Sequence, residues 1–317
     1  MFNISTKTVL LYHSIYKKKD IKSNKLHTVS FKNFSDQVNY LKDNYKIEDI
    51  DNIYNSKIKK TAAITFDDGY KDLKNEAIPF LEELKIPYTI YWNPGASKNG
   101  FWRDKLRLIL NNKKFSNLLL EKINSEINDN SFNLENIYKK SKTHFIDNKL
   151  ISSFCDEIID NKGSEKESLL LSFDDLVNLC RDTNFLKIGN HSYGHFNLAS
   201  LNNEDLLKEI QLSKKLISSL PKSKLSKIFS IPFGGSKDIS KQVIKNLEKE
   251  GYKGFLMSRN MININNRILK VNPNNIYILE RFMPKDEGLN HFKSQIFEVK
   301  YKSIIKKLYE IFINKIY

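Results

Sequence analysis

Seven short runs rich in β-branched and aromatic residues recur along this chain, with helix-patterned segments between most of them, and that alternation decides the fold class. The runs are Thr8–His13, Thr61–Phe66, Pro87–Trp92, Leu186–Asn190, Lys227–Ile231, Lys253–Met257 and Asn275–Leu279, each about strand length. Phe31, Phe34, Val38 and Leu41 share one face of a helix predicted over Phe31–Tyr45, and Ile78, Leu81 and Leu84 recur within Asp72–Leu84. Ser172 and Asp175 have capping-box spacing at the start of Ser172–Asp182. Leu206, Ile210 and Leu216-Ile217 mark a helix in Asn202–Leu220, and Ile239–Glu250 stops at Gly251, a C-cap residue. Strands alternating with helices make a parallel sheet. About seven such units close, or nearly close, a distorted (β/α) barrel, an α/β fold whose chemistry is expected at the C-terminal ends of the strands.

One region breaks the rhythm. Residues from about Gly100 to Leu171 hold no clear strand, are helical in pattern and rich in Lys and Asn. They read as a helical insertion capping the barrel, with Asn128–Asn133 as its mobile piece. The expected division is a barrel over residues 1–289, insertion included, and a C-terminal amphipathic helix over 290–317. In that tail Ile304, Ile305, Leu308, Ile311 and Phe312 fall at helical spacing among Lys302, Lys306, Lys307 and Lys315. Such a helix either packs on the barrel or a second subunit, or lies on an anionic membrane.

Composition limits the function classes. Lys and Arg number 52 against 37 Asp and Glu, for a net charge of +15, yet Arg occurs only at 103, 107, 181, 259, 267 and 281. Readers of nucleic acid rely on the planar guanidinium fork. A Lys-based excess spread through an Asn- and Ile-rich chain reads instead as solvated surface, and no nucleic-acid partner is expected. Cys155 and Cys180 are too few for a disulfide scaffold, so the core must carry the fold. The mean hydropathy of -0.49 argues against a polytopic membrane protein. Met1–Tyr12 holds one Lys and a strand-length apolar run with no cleavage pattern after it, so the expectation is a cytoplasmic protein, peripheral to the inner face of the membrane if the tail binds there.

Three strand ends carry unusual residues. The second run leads into Asp67-Asp68-Gly69. Adjacent side chains on a strand point to opposite sides, so one carboxylate can bind a metal while its neighbour faces a substrate; alone, the tripeptide also reads as a polar turn before a helix. The fourth run leads into His191-Ser192-Tyr193-Gly194-His195. Two of the chain's six histidines meet here at metal-ligand spacing, and Gly194 places them on a loop. After the fifth run comes Pro232-Phe233-Gly234-Gly235, a sharp turn that can hold a backbone N–H outward for an oxyanion, or simply join strand to helix.

Taken in this order on successive strand ends, Thr65-Phe66-Asp67-Asp68, His191 to His195 and Pro232-Phe233-Gly234 resemble the NodB-homology polysaccharide deacetylases, carbohydrate esterase family 4, over roughly residues 8–285. Leu11-Tyr12-His13 and Phe101-Trp102-Arg103-Asp104 resemble a bacterial subgroup associated with surface-polysaccharide synthesis. The resemblance implies a divalent metal held by Asp68, His191 and His195, with Asp67 as general base and the Phe233 N–H in the oxyanion site. Zinc is the metal expected for Asp/His/His ligation; ligand chemistry also admits cobalt, nickel and iron.

Two departures from the family pattern stand out. Ser230 occupies the position where the family commonly carries an Arg that orients the base, and Arg281, just after the seventh run, is the substitute expected in space. The family's late motif that supplies the catalytic acid is not found, so His13, ending the first run, is the candidate acid. Trp92, Trp102 and Tyr193 lie near strand ends and are candidate sugar-stacking residues, and Asp104 is a candidate for a sugar hydroxyl. The reaction so implied is removal of N-acetyl groups from amino sugars of a surface polysaccharide or its precursor. Its alternatives are a deformylase or deacetylase of a lipid-linked monosaccharide and a carbohydrate-binding pseudoenzyme.

Overall fold

A computed structural model describes residues 5–17, 27–127, 132–142, 145–160, 169–264, 270–271 and 276–316. Residues 128–131 of the segment expected to be mobile lie outside the described residues, as does Asn275 of the seventh run. All seven runs are strands: β1 Thr6–Tyr12, β2 Lys60–Asp68, β3 Tyr88–Trp92, β4 Leu186–Asn190, β5 Leu225–Ser230, β6 Gly254–Met257 and β7 Ile276–Phe282. Each pairs in parallel with the next from β1 to β6, β6 pairs with β7, and β7 pairs with β1, so the ring is closed. The longer helices are α1 Phe31–Asn44, α2 Ala77–Glu83, α3 Trp102–Leu110, α4 Lys113–Ile127, α5 Phe145–Asp160, α6 Phe173–Asp182, α7 Asn203–Ile217, α8 Lys241–Lys249 and α9 Leu289–Ile316.

Strands buried on both faces read as apolar runs rather than as alternating ones. One face of β2 sends Ala62, Ile64 and Phe66 into the layer beneath the helices. The other sends Ala63 into the barrel interior with Val9, Tyr91, Ile228, Leu256 and Leu279. The helices start where their caps dictate. Ser30, Ser172, Asn202 and Ser240 each accept a hydrogen bond from the backbone N–H three residues on, and Ser172 with Asp175 forms the expected capping box. The helix expected over Asp72–Leu84 is broken into a 3₁₀ turn at Lys71–Lys74 and α2. Pro79 explains the break: it lacks an N–H and its ring would clash with a carbonyl four residues back, so it is tolerated only in a first turn.

The insertion is helical as expected. α3, α4 and α5 bury Leu106, Ile109, Leu119, Ile123, Ile151, Phe154 and Cys155 in a core of their own, joined at the barrel mouth by Tyr70, Phe101 and Trp102. Both cysteines are free and buried. α9 joins the layer under the helices through Phe292, Ile296 and Val299.

Inside the barrel Tyr91 lies over Gly189, where an added Cβ would overlap the ring. Gly189→Ala is expected to destabilise the fold by about 1–3 kcal/mol, because a filled interior has nowhere to move a buried tyrosine. The urea midpoint measures it; an unchanged midpoint would mean that the ring can swing aside.

Candidate active site

Side-chain alternation builds the site. On β2 the residues facing the barrel interior are Ala63, Thr65 and Asp67; on β5 they include Ile228 and Ser230; on β7, Leu279 and Arg281. The topmost interior layer is therefore Asp67, Ser230 and Arg281, with His13 one step past the end of β1. They meet. Arg281 grips Asp67 with both arms, Nη1 to Oδ1 at 2.7 Å and Nη2 to Oδ2 at 2.6 Å. The Ser230 hydroxyl donates to Asp67 at 3.1 Å and accepts from Arg281 at 2.9 Å, and the Ser258 hydroxyl, just beyond β6, accepts from Arg281 at 2.9 Å. Burial alone would raise the Asp67 pKa, but the positive charge and hydrogen bonds of Arg281, with help from the His191 and His13 imidazoles, hold the carboxyl well below its usual range.

By alternation Asp68 would point away from this layer. Its backbone takes φ +67°, followed by Gly69 at +74°, and Asp68 Oδ1 lies 3.6 Å from Nε2 of both His191 and His195. Left-handed backbone at a non-glycine residue costs free energy and is held in place by its surroundings. The same holds at Ser192 (+65°), His195 (+58°) and Phe233 (+63°), so the strain is concentrated on the loops that form this mouth. Asn190 Oδ1 accepts from the Ser192 N–H at 2.8 Å, and the Ser192 hydroxyl accepts from the His195 N–H at 3.0 Å. The Asn93 side-chain amide, beyond β3, donates to the His191 carbonyl. All seven strand ends thus contribute a polar group to one mouth.

Asp68, His191 and His195 fit a divalent cation. One ligand atom from each lies within 4.8 Å of the others, and all three residues are buried. Bond lengths of about 2.0–2.2 Å place tetrahedral ligand pairs about 3.4 Å apart, close to the 3.6 Å separations here. Asp68 Oδ1 is buried without a hydrogen-bond partner among the described residues. Burial first, and the Asp67 carboxylate second, push the Asp68 pKa well up, so a cation is what this carboxylate needs to stay ionised. Burial lowers the pKa of both imidazoles, which keeps them neutral as ligands must be. The ring of His191 is oriented by Nδ1 against the Ser230 carbonyl at 2.8 Å, which turns Nε2 toward Asp68.

The remaining expected site residues divide. Phe233 packs its ring edge-on to His195 at 4.7 Å, placing its backbone at the mouth. His13 lies near Asp67 and against His27, ring centres 5.1 Å apart, with Nδ1 unpartnered among the described residues. Burial pushes its pKa down to about 3, which favours the neutral ring at rest. Trp92 and Trp102 are corrections. Trp92 is buried in the layer under the helices and donates to the Leu171 carbonyl at 2.8 Å. Trp102 is buried against Phe196 and donates to the His195 carbonyl at 3.4 Å. Neither has a ring face open to a sugar; both are large apolar bodies with one polar atom, and the cores of barrel and insertion used them. Tyr193 is half-buried and packs against Gly95. Asp104 accepts from Tyr70 Oη and pairs with Arg107, so it braces the insertion.

Sequence reasoning missed Ser258 and Asn93, which had no motif to mark them. It gave no role to two cations that the insertion brings to the Phe233 ring. Arg103 stacks on Tyr138 at 3.7 Å and lies 5.3 Å from the Phe233 ring, and Lys142 lies 4.7 Å from that ring.

A closed parallel barrel with an Asp/His/His cluster and a clamped carboxylate at its C-terminal mouth defines a class of hydrolases. The chain belongs to the polysaccharide deacetylase family, whose model matches residues 54–147 and 158–254; these enzymes hydrolyse the amide bond of N-acetylated sugars. The fold is similar to that of the Streptococcus pyogenes deacetylase PplD in complex with acetate, with TM-score 0.59 at 14% identity over 93% of this chain and 97% of that one. It is also similar to a de-N-acetylase from Aggregatibacter actinomycetemcomitans, with TM-score 0.57 at 15% identity over 92% of this chain and 100% of that one. A polysaccharide deacetylase from Bacillus cereus aligns with TM-score 0.55 at 19% identity over 92% of this chain and 69% of that one. No curated protein matches the chain. Among the described residues no helix is long and apolar enough to cross a membrane.

Proposed function

We propose that the chain removes N-acetyl groups from amino sugars of a surface polysaccharide or its precursor, in a hydrolysis that depends on a divalent metal, zinc by ligand type. The reading rests on one observation: Asp68, His191 and His195 converge on a single point while Arg281 fixes a second carboxylate, Asp67, beside them. A cation held by the three ligands would polarise the acetyl carbonyl and acidify a water. Asp67 takes the proton of the attacking water. Its low pKa makes it a weak base, and the clamp offsets this by holding its oxygens in place. The Phe233 N–H donates to the oxyanion as it forms. The leaving amine must be protonated. His13, neutral at rest, accepts the proton that Asp67 has gained and passes it to the nitrogen, which makes it a relay.

Arg281 also favours this reading over a carbohydrate-binding pseudoenzyme, since the guanidinium missing at position 230 is supplied from β7. Acetate release from N-acetylglucosamine oligomers tests the proposal. The metal-loaded protein is expected to release acetate, a chelator to suppress it at least 100-fold, and added zinc, cobalt or nickel to restore it. Release that ignores the chelator, or none from any loaded form, would overturn it.

A further inference from the structure

Among its described residues α9 has two apolar faces, one buried and one exposed. Phe292, Ile296 and Val299 are buried against the barrel, and the Ser303 hydroxyl on the same side accepts from the Ile262 N–H at 3.0 Å. Phe297, Tyr301 and Ile305, recurring every fourth residue, form a stripe on the other side and are 71%, 61% and 50% exposed. Of the tail residues expected from sequence to share a face, Ile305 lies on this stripe. Ile304, expected to share a face with Ile305, is half-buried, and the side chains of Leu308, Ile311, Phe312 and Lys315 lie outside the described residues.

The charges around the stripe identify what covers it. At about 100° per residue, Lys293 and Lys300 fall along one edge and Lys302 along the other. Between Leu289 and Lys307 the chain has Lys at 293, 300, 302, 306 and 307, and Glu298 is its only acid. A second basic and apolar segment emerges at the barrel end where this part of α9 packs. Lys57-Ile58-Lys59-Lys60 is exposed, Ile58 included. In the sheet Thr6 is flanked by Lys60 on one side and Ile264 on the other, next to the Ile262–Ser303 contact. Lys60 therefore lies about two strand spacings, roughly 10 Å, from Ile264.

We propose that this flank of α9, with Lys57–Lys60, docks on an anionic lipid surface. Three exposed apolar side chains enter the headgroup boundary while lysines on both edges reach lipid phosphates. A second copy of the chain would be the other natural cover for an apolar stripe. An antiparallel twofold pairing centred on Tyr301 would set Lys300 against its own copy, and that like-charge contact disfavours it. α9 starts at Leu289, shortly after β7 ends at the catalytic mouth, and descends along the barrel. The stripe therefore lies on the barrel's side, between the mouth and the opposite end, where Lys60 begins β2. The inference does not depend on the reaction proposed above.

Flotation of the full chain with phosphatidylcholine vesicles, with and without phosphatidylglycerol, tests it. Binding at least tenfold stronger to the anionic vesicles is expected, weakening as salt rises. The triple variant Phe297→Ser, Tyr301→Ser, Ile305→Ser is expected to bind at least tenfold more weakly. Lys300→Glu with Lys302→Glu should remove the preference for anionic lipid. Unchanged thermal midpoints show that the variants fold. Absence of binding, equal binding to both vesicles, or a wild-type dimer that the triple variant makes monomeric would each overturn the proposal.

Discussion

Asp67→Asn is expected to keep its metal and to lose acetate release by about 10²–10⁴-fold, the usual share of a positioned acid–base group. The asparagine has nearly the same shape and stays in the barrel interior above Ala63 and Thr65, so the metal ligands keep their places. It has no basicity to take a proton from water, and its amide sets donors against a guanidinium that needs acceptors. Asp68→Asn and His195→Ala are expected to do the opposite, losing the metal first and activity as a consequence, because the first removes the negative charge and the second the imidazole from a set of three ligand atoms that lie within 4.8 Å of one another. Metal content by mass spectrometry, read beside acetate release, separates the two patterns. A metal-free Asp67→Asn together with a fully loaded Asp68→Asn would reverse the roles assigned to the two carboxylates.

The arrangement behind this proposed division of labour was legible in the sequence to the extent that local rules govern it. Strands buried on both faces advertise themselves as apolar runs, and all seven appear. Two adjacent carboxylates at a strand end must diverge, which placed Asp67 and Asp68 on different tasks. What stayed hidden depends on contacts between remote positions. Arg281 lies 214 residues from Asp67; the serine at 230 pointed to it as the substitute arginine, but its two-armed grip on Asp67 is visible only in space. Ser258 and Asn93 are ordinary polar residues at strand ends, marked only by their partners in space. The indoles of Trp92 and Trp102 suit a sugar platform or a core equally well, and the helical insertion, which covers that side of the mouth, decided for the core. Helical spacing picked out Ile304, Ile305, Leu308, Ile311 and Phe312 in the tail but not which face of α9 the barrel would cover.

Arg281→Met is expected to be the most destabilising of the site variants. It leaves Asp67 as a buried charge without its partner, which costs about 3–5 kcal/mol where such pairs have been broken, and it strips the guanidinium from Ser230 and Ser258 as well. The pH dependence gives the sign. In the native protein the Asp67 pKa is depressed, so its contribution to stability is present above the unfolded value, near 4, and is lost as pH falls below it. In the variant, burial without Arg281 raises the same pKa, and the native state takes up a proton as the solution is acidified. The stability gap between native protein and variant should therefore be widest at neutral pH and narrow steadily through the carboxylate range, as read from urea midpoints at several pH values. A gap independent of pH would mean that Arg281 stabilises by filling space and not by its charge. Activity separates the charge from its position. Ser230→Arg in an Arg281→Ser background returns a guanidinium to the mouth from β5, whose interior face already brings Ser230 within 3.1 Å of both Asp67 oxygens. Partial recovery of acetate release in that double variant, against none in Arg281→Ser alone, is expected if the base needs a clamp but not one from a particular strand.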